Sequence, residues 1–356
     1  MKITVIGGGN IGTLMAAEMA NGGHCVTMYT SNPQNWQNKI DVYDADENFV
    51  LSGELSQVTN AVEKALEDAE MIWITVPAQA FNNLSEKMLP YVKAGQIIGI
   101  VPGSGGAEFA FYPMIQKGCI LFGLQRVHSI ARLKEYGKSV YMLGRKPELQ
   151  LGSIPTSETP RISEIVSGLL NMPCISLPNY LCVTLTPSNP ILHTTRLYSM
   201  FKDYEQGITY PRNFLFYEEW NDDSSSMLFT CDGELQKLCE VIPMELNDVK
   251  SLKLHYESET VQALTAKIQS IKAFKGLTSP MKQVESGEWI PDFESRYFTA
   301  DFSFGLKIIL DLCDLFGVDA PGIQQVWDWY ISTSPISQEN YFKLALSKDA
   351  LMDLYA

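Results

Sequence analysis

The chain has 356 residues, with 27 basic and 41 acidic side chains that give a formal net charge of −14. Nucleic acids and anionic membrane surfaces both require basic patches, so this charge argues against them as partners. The length predicts two domains, and a hydrophobic content of 46% is sufficient for two cores. No apolar run approaches the roughly 18–20 residues of a membrane span, and the N-terminal MKITVIGGG has no signal-peptide pattern.

The first half of the chain alternates predicted strands with predicted helices. Strands are expected at KITVIG, HCVTMYT, MIWITVP, QIIGIVP and GCILFGLQRVH, and helices at Ile11–Asn21, AVEKALEDAE and FNNLSEKMLPYV. Strands separated by helices predict a doubly wound, mainly parallel sheet. After Leu149 we expect a loop and helix in SIPTSETPRISEIVSGLLNM and one more strand in PCISLPNYL.

From Asn189 onward strand patterns nearly vanish and long helical patterns follow. They are PILHTTRLYSMFKDY, GELQKLCEVIPMEL, SETVQALTAKIQSIKAF, FSFGLKIILDLCDLFGV and APGIQQVWDWYI, with EEWNDDSSS as a loop. We therefore place a domain boundary near Thr186. Residues 1–186 are predicted to be a dinucleotide-binding Rossmann domain, and residues 187–356 an all-helical domain.

The seven cysteines are scattered, odd in number and without a Cys-x-x-Cys pair. No histidine lies at metal-ligand spacing from them, which predicts reduced thiols in a cytoplasmic protein and no metal site. The positions are Cys25, Cys119, Cys174, Cys182, Cys231, Cys239 and Cys313.

The segment VIGGGNIG places Gly7, Gly9 and Gly12 in the G-x-G-x-x-G spacing, directly after a strand and before a helix. Such a turn lets the backbone approach a pyrophosphate, with the helix N–H groups of Asn10 and Ile11 facing the anion. The alternative interpretation is a glycine-rich turn in a sheet that binds no nucleotide.

The end of the second strand reads Thr30, Ser31, Asn32, where NAD sites usually carry an acid for the ribose 2′-hydroxyl. Neutral side chains remove repulsion toward a 2′-phosphate, which favours NADP over NAD, although no arginine is present to hold that phosphate. Two further strand ends complete the expected cofactor site. They contribute Val76, Pro77, Pro102 and Gly103, the last two in the loop VPGSGGAEF, which could also be a simple turn.

Two polar clusters are candidates for the chemistry. Asn189 and Pro190 are typical of a helix N-cap and first turn, which places His193 one turn inside a helix. In ESRYFTADFSFGL, Arg296 and Asp301 flank an aromatic stretch before an apolar helix. The structural alternatives are an ordinary helix histidine, a capping aspartate and a surface arginine.

The other histidines and the aromatic residues are weaker candidates. His24 follows a turn and His255 lies on a polar helix face, whereas His128 follows a sheet strand and is the main rival of His193. A set of aromatic residues either lines a cleft or fills the helical core, and the core is the safer interpretation. These residues are Tyr198, Phe201, Tyr204, Phe214, Phe216 and Tyr217.

Strand–GGGNIG–helix, then NPILHTT, then SRYFTADFSFGL resemble the NAD(P)-dependent octopine/nopaline (opine) dehydrogenase family over nearly the whole chain. The resemblance implies a Rossmann domain joined to a helical domain of the 6-phosphogluconate dehydrogenase type. It implies reduction of the imine formed between an amino acid and an α-keto acid. The family's Asn-Pro-x-x-His histidine matches His193, its Arg-Tyr-x-x-x-Asp pair matches Arg296 and Asp301, and its glutamine near the keto acid matches Gln125.

The resemblance implies that His193 is an acid/base, Asp301 orients it, and Arg296 anchors a substrate carboxylate, with Gln125 and Asn189 also binding substrate. The chain departs from the family pattern at Ala300, where an acid is common, and in RVHSIAR, where a proline-containing loop is common. These departures leave the amine substrate open.

Two alternative functions remain at this stage. A ketopantoate- or glycerol-3-phosphate-type reductase would place a lysine where His193 stands, and the nearest lysine here is Lys202. A non-catalytic NADP-sensing regulator would need the glycine turn but not the histidine, arginine and aspartate together. The apolar helices are compatible with a homodimer.

Overall fold

The protein is described by a computed structural model that covers residues 1–334 and 341–355. The chain divides into two compact units. The first unit comprises Met1–Thr184 and Leu351–Ala356, and the second comprises Leu185–Ala350.

The C-terminal segment differs from the sequence expectation, which placed residues 187–356 in the second domain. The Tyr355 hydroxyl donates to Glu108 at 2.7 Å, and the Tyr355 carbonyl accepts from Thr156 at 2.9 Å. These contacts join positions 247 and 199 residues apart, so no local pattern could predict them. Residues 335–340 and 356 lie outside the described residues.

The first unit contains twelve strands. They are β1 (Lys2–Ile6), β2 (Cys25–Tyr29), β3 (Lys39–Tyr43), β4 (Phe49–Glu54), β5 (Gln57–Thr59), β6 (Met71–Ile74), β7 (Ile97–Ile100), β8 (Ile120–Leu124), β9 (Ser129–Glu135), β10 (Ser139–Arg145), β11 (Leu149–Ile154) and β12 (Cys174–Ser176). Eight of them form one sheet in the order β12-β11-β8-β7-β6-β1-β2-β5. All neighbouring pairs are parallel except β8 and β11, which confirms the predicted doubly wound, mainly parallel sheet.

The helices of the first unit cover the strand crossovers. They are α1 (Asn10–Asn21), α2 (Val62–Leu66), α3 (Phe81–Met88), α4 (Ala107–Ala110), α5 (Tyr112–Gln116), α6 (Thr159–Leu170) and α7 (Leu181–Thr184). Helix α1 is built mostly of small and apolar residues, and seven of its residues, Gly12–Ala17 and Met19, are buried. It therefore packs closely on the sheet, which fixes the turn between β1 and α1.

The sequence analysis did not predict a second sheet of four strands, in the order β4-β3-β10-β9. Its buried positions, among them Ile40, Val42, Ala131 and Val140, belong to the same core as α1. Strand β10 pairs with β3 from nearly 100 positions earlier, at Ser139 with Asp41. This sheet covers the outer side of α1, and its edge reaches the glycine turn.

The second unit is mainly helical, as predicted, and adds a short hairpin of β13 (Met281–Gln283) and β14 (Trp289–Pro291). Its helices are α8 (Ser188–Phe201), α9 (Asp222–Val241), α10 (Leu252–His255), α11 (Val261–Ser270), α12 (Arg296–Thr299), a π-helical turn (Phe302–Leu306), α13 (Lys307–Phe316) and α14 (Pro321–Thr333). A last helix, α15 (Lys348–Tyr355), ends in the first unit. Within the described residues, no helix is long and apolar enough to cross a membrane.

Helix α9 begins earlier than predicted. The segment EEWNDDSSS was expected to be a loop, but the helix starts at Asp222. The side chain of Asn221 accepts from the N–H of Ser224 at 3.0 Å, a capping contact, and Asp222 and Asp223 lie in the positive first turn. The prediction was wrong because capping residues and loop residues have the same composition.

Candidate active site

The glycine turn has the geometry that a phosphate site requires. Gly7 has a φ of +113°, and a Cβ on Gly12 would lie 1.9 Å from the Gly7 carbonyl oxygen. Among the residues that the structure describes, a Cβ on Gly9 would meet no atom within 4 Å. The first and third glycines are therefore needed for the turn and its packing, whereas Gly9 leaves open space above the start of α1, where an anion fits.

Asn10 and Ile11 serve the turn in different ways. The Asn10 side chain accepts from the backbone N–H of Leu133 at 2.9 Å, which ties the start of α1 to the four-stranded sheet. Ile11 packs against the core of the first unit. Their backbone N–H groups, at the start of α1, are the groups proposed to face an anion.

The end of β2 carries the three neutral residues in unequal roles. Thr30 is buried, and its hydroxyl lies 3.0 Å from that of Tyr136. Ser31 and Asn32 are exposed, with the Asn32 amide donating to Ser31 at 3.3 Å. Tyr136 was not predicted and lies beyond the reach of local patterns, since 106 residues separate it from Thr30.

The residues predicted to bind the cofactor after the other two strands differ in their surroundings. Val76 lies beside the glycine turn, since a Cβ on Gly7 would be 3.1 Å from its Cγ1. Pro77 precedes the short helix Ala78–Ala80. Pro102 is exposed, but Gly103 is buried, and a Cβ there would lie 2.5 Å from the Gly123 Cα. Packing explains that glycine, and its contact with a cofactor stays a prediction.

Gln125 follows β8 in the first unit. Its backbone N–H donates to Gln150 at 2.8 Å, and its side-chain amide reaches the Cys182 carbonyl at 3.5 Å. The side chain is half-buried and weakly held, so it can turn toward a ligand.

In the second unit, His193 and Asp301 form a direct pair. Nδ1 of His193 lies 2.8 Å from Oδ2 of Asp301, and the two side chains are 11% and 12% exposed. A carboxylate only accepts hydrogen bonds, so Nδ1 carries a proton, and in the neutral ring Nε2 holds the lone pair. The alternative interpretation of Asp301 as a helix cap is wrong, because its side chain makes no capping hydrogen bond.

Helix α8 brings His193 to this position, but its start differs from the prediction. The first helical hydrogen bond runs from the N–H of Ile191 to the carbonyl of Pro187, so Pro187 is the N-cap and Asn189 is not. Pro190 then occupies the third position, which is tolerated because the first N–H groups of a helix have no helical partner. Asn189 is exposed.

The π-helical turn explains how Asp301 reaches α8. A Cβ on Gly305 would lie 3.0 Å from Cγ of Pro190, a tight contact, so glycine favours the close approach of α8. The turn starts directly after Asp301, whose carbonyl accepts from Leu306 at 2.8 Å. Single π-turns are frequent at functional sites.

Arg296 begins α12, five positions before Asp301. It is exposed and makes no ion pair or side-chain hydrogen bond with the residues that the structure describes. An arginine without a carboxylate partner is available to bind an anion.

Three aromatic residues surround the imidazole of His193. The Tyr217 hydroxyl lies 3.0 Å from Nε2, and the ring centroids of Tyr297 and Phe216 lie 4.6 and 5.6 Å from that of His193. Phe216 and Tyr217 are buried, as the core interpretation predicts, but they also contact the histidine. Sequence reasoning named them without assigning this contact.

The rival histidine has a structural role. His128 is fully buried, and its Nε2 pairs with Glu18 at 2.6 Å, where Arg145 also binds. It cannot contact a substrate. Within the described residues, no group of three or more His, Cys, Asp or Glu is arranged to hold a metal ion.

The comparisons with known proteins agree with these features. Residues 176–333 match the family described as NAD/NADP octopine/nopaline dehydrogenase, alpha-helical domain. Most of the second unit is therefore similar to the helical domain of the octopine/nopaline dehydrogenases. Residues 2–106 match the N-terminal domain of NAD-dependent glycerol-3-phosphate dehydrogenase. The family resemblance expected from the sequence is confirmed.

Relatives of opine dehydrogenase type align over most of the chain. Opine dehydrogenase of Haliotis discus hannai is 28% identical over 363 residues, which covers 92% of this chain and 89% of the relative. Tauropine dehydrogenase of Arabella iricolor is 24% identical over 358 residues, covering 92% and 90%. A solved structure of octopine dehydrogenase with NADH and L-arginine has a TM-score of 0.82 at 24% identity, covering 93% and 89%. This last similarity concerns the fold.

Proposed function

We propose that this protein is an oxidoreductase of the opine dehydrogenase type. It uses NAD(P)H to condense an α-keto acid reductively with the amino group of an amino acid. The observation that supports this most directly is the His193–Asp301 pair, at 2.8 Å, in a helical domain of the octopine/nopaline dehydrogenase family. The related opine and tauropine dehydrogenases carry activities of this class in their names.

The chemistry requires proton transfers that His193 is suited to perform. The incoming ammonium must lose a proton before its nitrogen attacks the keto carbon, and the resulting carbinolamine must lose its hydroxyl as water. An imidazole that takes one proton and returns another serves both steps. The Asp301 carboxylate stabilises the imidazolium and holds its orientation. The nicotinamide supplies the hydride when it is bound.

Binding of the substrate carboxylates is assigned to three residues. Arg296 is exposed and unpaired among the described residues, so its guanidinium is proposed to hold a substrate carboxylate in two-point geometry. Gln125 is proposed to contact the keto acid. Asn189 is proposed as a further substrate-binding residue, with no choice made between the keto acid and the amino acid. The Gln125 side chain is weakly held and the Asn189 side chain is exposed, so both are available to a ligand.

The cofactor is proposed to bind at the glycine turn, with NADP favoured over NAD. Support comes from the open space at Gly9 and from the exposed, neutral Ser31 and Asn32 at the end of β2. Thr30 is buried and bonds Tyr136, so we propose that it holds the end of β2 in place and does not contact the ribose. Initial rates with NADPH and NADH test the choice, and a strong NADH preference would contradict it.

The assay that tests the function follows NADPH absorbance with pyruvate or 2-oxoglutarate and a panel of amino acids. Oxidation that requires both the keto acid and the amine supports the proposal. Oxidation with the keto acid alone would instead indicate a simple 2-keto acid reductase. That alternative lacks its lysine here, since Lys202 lies beyond the end of α8 and pairs with Asp223 at 3.5 Å. No turnover at all would favour an NADP-sensing regulator. A cytoplasmic location and a homodimer stay predictions.

A further inference from the structure

Both ring nitrogens of His193 are engaged in the structure. Nδ1 donates to Asp301, so Nε2 of the neutral ring is an acceptor, and the only proton on the Tyr217 oxygen points to it at 3.0 Å. Nε2 has a single lone pair in the ring plane. Because Nδ1 is bound to Asp301, Nε2 is the ring nitrogen that remains for proton transfer, and it already accepts from a hydroxyl.

The Tyr217 ring is held in place by its neighbours. It stacks on Phe274, with ring centroids 4.0 Å apart and planes 16° apart, and it lies parallel to Trp220 at 6.4 Å. Only 5% of the residue is exposed. A ring held between aromatic neighbours cannot swing away easily, so its hydroxyl remains on Nε2.

The hydroxyl of Tyr217 is a neutral group at all ordinary pH values. Burial raises the pKa of Tyr217 well above its usual value of 10, and the nearby Tyr297 and Asp301 act in the same direction. It can therefore pass a proton only by giving one while it receives another. Its second lone pair is free for this purpose, because the oxygen accepts no hydrogen bond from the residues described.

We propose that Tyr217 is a proton-relay residue, through whose hydroxyl Nε2 of His193 exchanges protons with the substrate. This inference rests on the proposed function. In amine deprotonation, an N–H bond of the substrate ammonium breaks and its proton passes to the Tyr217 oxygen. In the same step the Tyr217 proton passes to Nε2, which gives a neutral amine, an unchanged tyrosine and an imidazolium beside Asp301. The reverse transfer protonates the departing hydroxyl of the carbinolamine, which leaves as water.

The first experiment tests the hydrogen bond without any turnover. The free protein is labelled with ¹⁵N-histidine, and the His193 signals are assigned by their loss in His193→Asn. In the unmodified protein we expect the Nδ1–H tautomer, with an Nε2 shift typical of a hydrogen-bonded acceptor. Tyr217→Phe retains the stacked ring but removes the donor, so the Nε2 signal should move. An Nε2 signal that does not change would overturn the proposal.

The second experiment tests the relay in the active protein. Tyr217→Phe should lower kcat about 10²-fold with unchanged KM for the cofactor. Tyr198→Phe is the matched control, because it removes a hydroxyl from α8 that bonds Gln325 rather than His193. The proton inventory of the unmodified protein in H₂O–D₂O mixtures should be curved, because two protons move together.

The outcomes separate this proposal from the proposed function. An active unmodified protein whose Tyr217→Phe variant keeps full kcat, or whose proton inventory is linear, overturns the relay alone. An unmodified protein that turns over no pair of keto acid and amine refutes the proposed function and the relay with it. Unchanged far-UV circular dichroism and thermal unfolding of Tyr217→Phe show that any loss of kcat is not a loss of fold.

Discussion

Asp301 lies 2.8 Å from Nδ1 of His193, although 108 residues separate them in the chain. A third position, Gly305, favours the contact, because it has no side chain to press against Pro190 of α8 beside the π-helical turn. The proposed acid/base pair is therefore a product of helix packing, and the two side chains are mostly shielded from water. Shielding strengthens the interaction between the carboxylate and an imidazolium.

Replacing His193 by asparagine should lower turnover by about 10²–10⁴-fold, because the proposed acid/base is removed. Cofactor affinity should not change, since the glycine turn belongs to the first unit. Steady-state kinetics and fluorescence titration with NADPH measure the two quantities. His255→Asn, on an exposed helix end, is the control. Near-normal turnover of His193→Asn would refute the assignment.

Asp301→Asn should retain the size of the side chain but lose the charge that stabilises the imidazolium. We expect a fall in kcat of about 10²-fold or more. The double variant with His193→Asn should be little worse than His193→Asn alone, because residues that act as a unit are not additive. Fully additive losses would show that the pair does not act as a unit. Asp314→Asn, exposed on α13, is the control for a lost carboxylate.

Arg296→Lys should raise the KM of the keto acid about 10-fold or more, because a lysine retains the charge but loses the two-point geometry. The affinity for NADPH should stay constant. An unchanged keto-acid KM with weaker NADPH binding would assign the arginine to a cofactor phosphate instead. Arg161→Lys, which changes an exposed arginine paired with Glu158, is the matched control.

Gly9→Ala should weaken cofactor binding without loss of stability. The φ of −86° at Gly9 is accessible to alanine, and the added methyl group meets no atom of the described residues within 4 Å. It instead enters the space proposed for the pyrophosphate. We expect the Kd for NADPH to rise at least 10-fold at an unchanged Tm, measured by titration and thermal unfolding. Gly168→Ala, where the added methyl group likewise meets no described residue within 4 Å, should leave the Kd unchanged. Normal NADPH binding by Gly9→Ala would place the cofactor elsewhere.

Glu108 should make the stability of the first unit depend on pH. Complete burial raises the pKa of its carboxyl from 4.5 to about 7, although hydroxyls of Thr184 and Tyr355 oppose this. An acid with a raised pKa in the folded state binds its proton more tightly there than in the unfolded chain. The stabilisation from the protonated Glu108 is therefore complete below about pH 4.5 and is lost as the pH rises through about 7. The free energy of unfolding should fall by about 3 kcal/mol over this range.

Glu108→Gln should remove this dependence, because an amide does not titrate. Urea unfolding between pH 5 and 8 measures the free energy of unfolding of both proteins. The difference in free energy of unfolding between Glu108→Gln and the unmodified protein should change across this range. For Glu86→Gln, at an exposed position of α3, that difference should stay constant. If the free energies of unfolding of Glu108→Gln and the unmodified protein changed in parallel with pH, the pKa of the Glu108 carboxyl would not be raised.

Local patterns predicted most of the elements that place the two proposed sites. The strand before Gly7 and the helix after it follow from apolar spacing and from the glycines themselves, which act within a few residues. The helix that carries His193 was predicted within two residues, but its cap was assigned to Asn189 instead of Pro187. Cap positions are hard to predict, because several neighbouring residues satisfy the same local requirement.

By itself, the sequence determined the parallel sheet, the glycine turn and the helical second half, because each depends on contacts between near neighbours in the chain. The tertiary structure decided the four-stranded sheet over α1, the C-terminal helix bound at Glu108, and the surroundings of His193. These depend on contacts between distant positions, such as Asp301 with His193 and Tyr136 with Thr30. Whether such side chains meet is set by how closely the helices and sheets pack, which the local pattern does not contain.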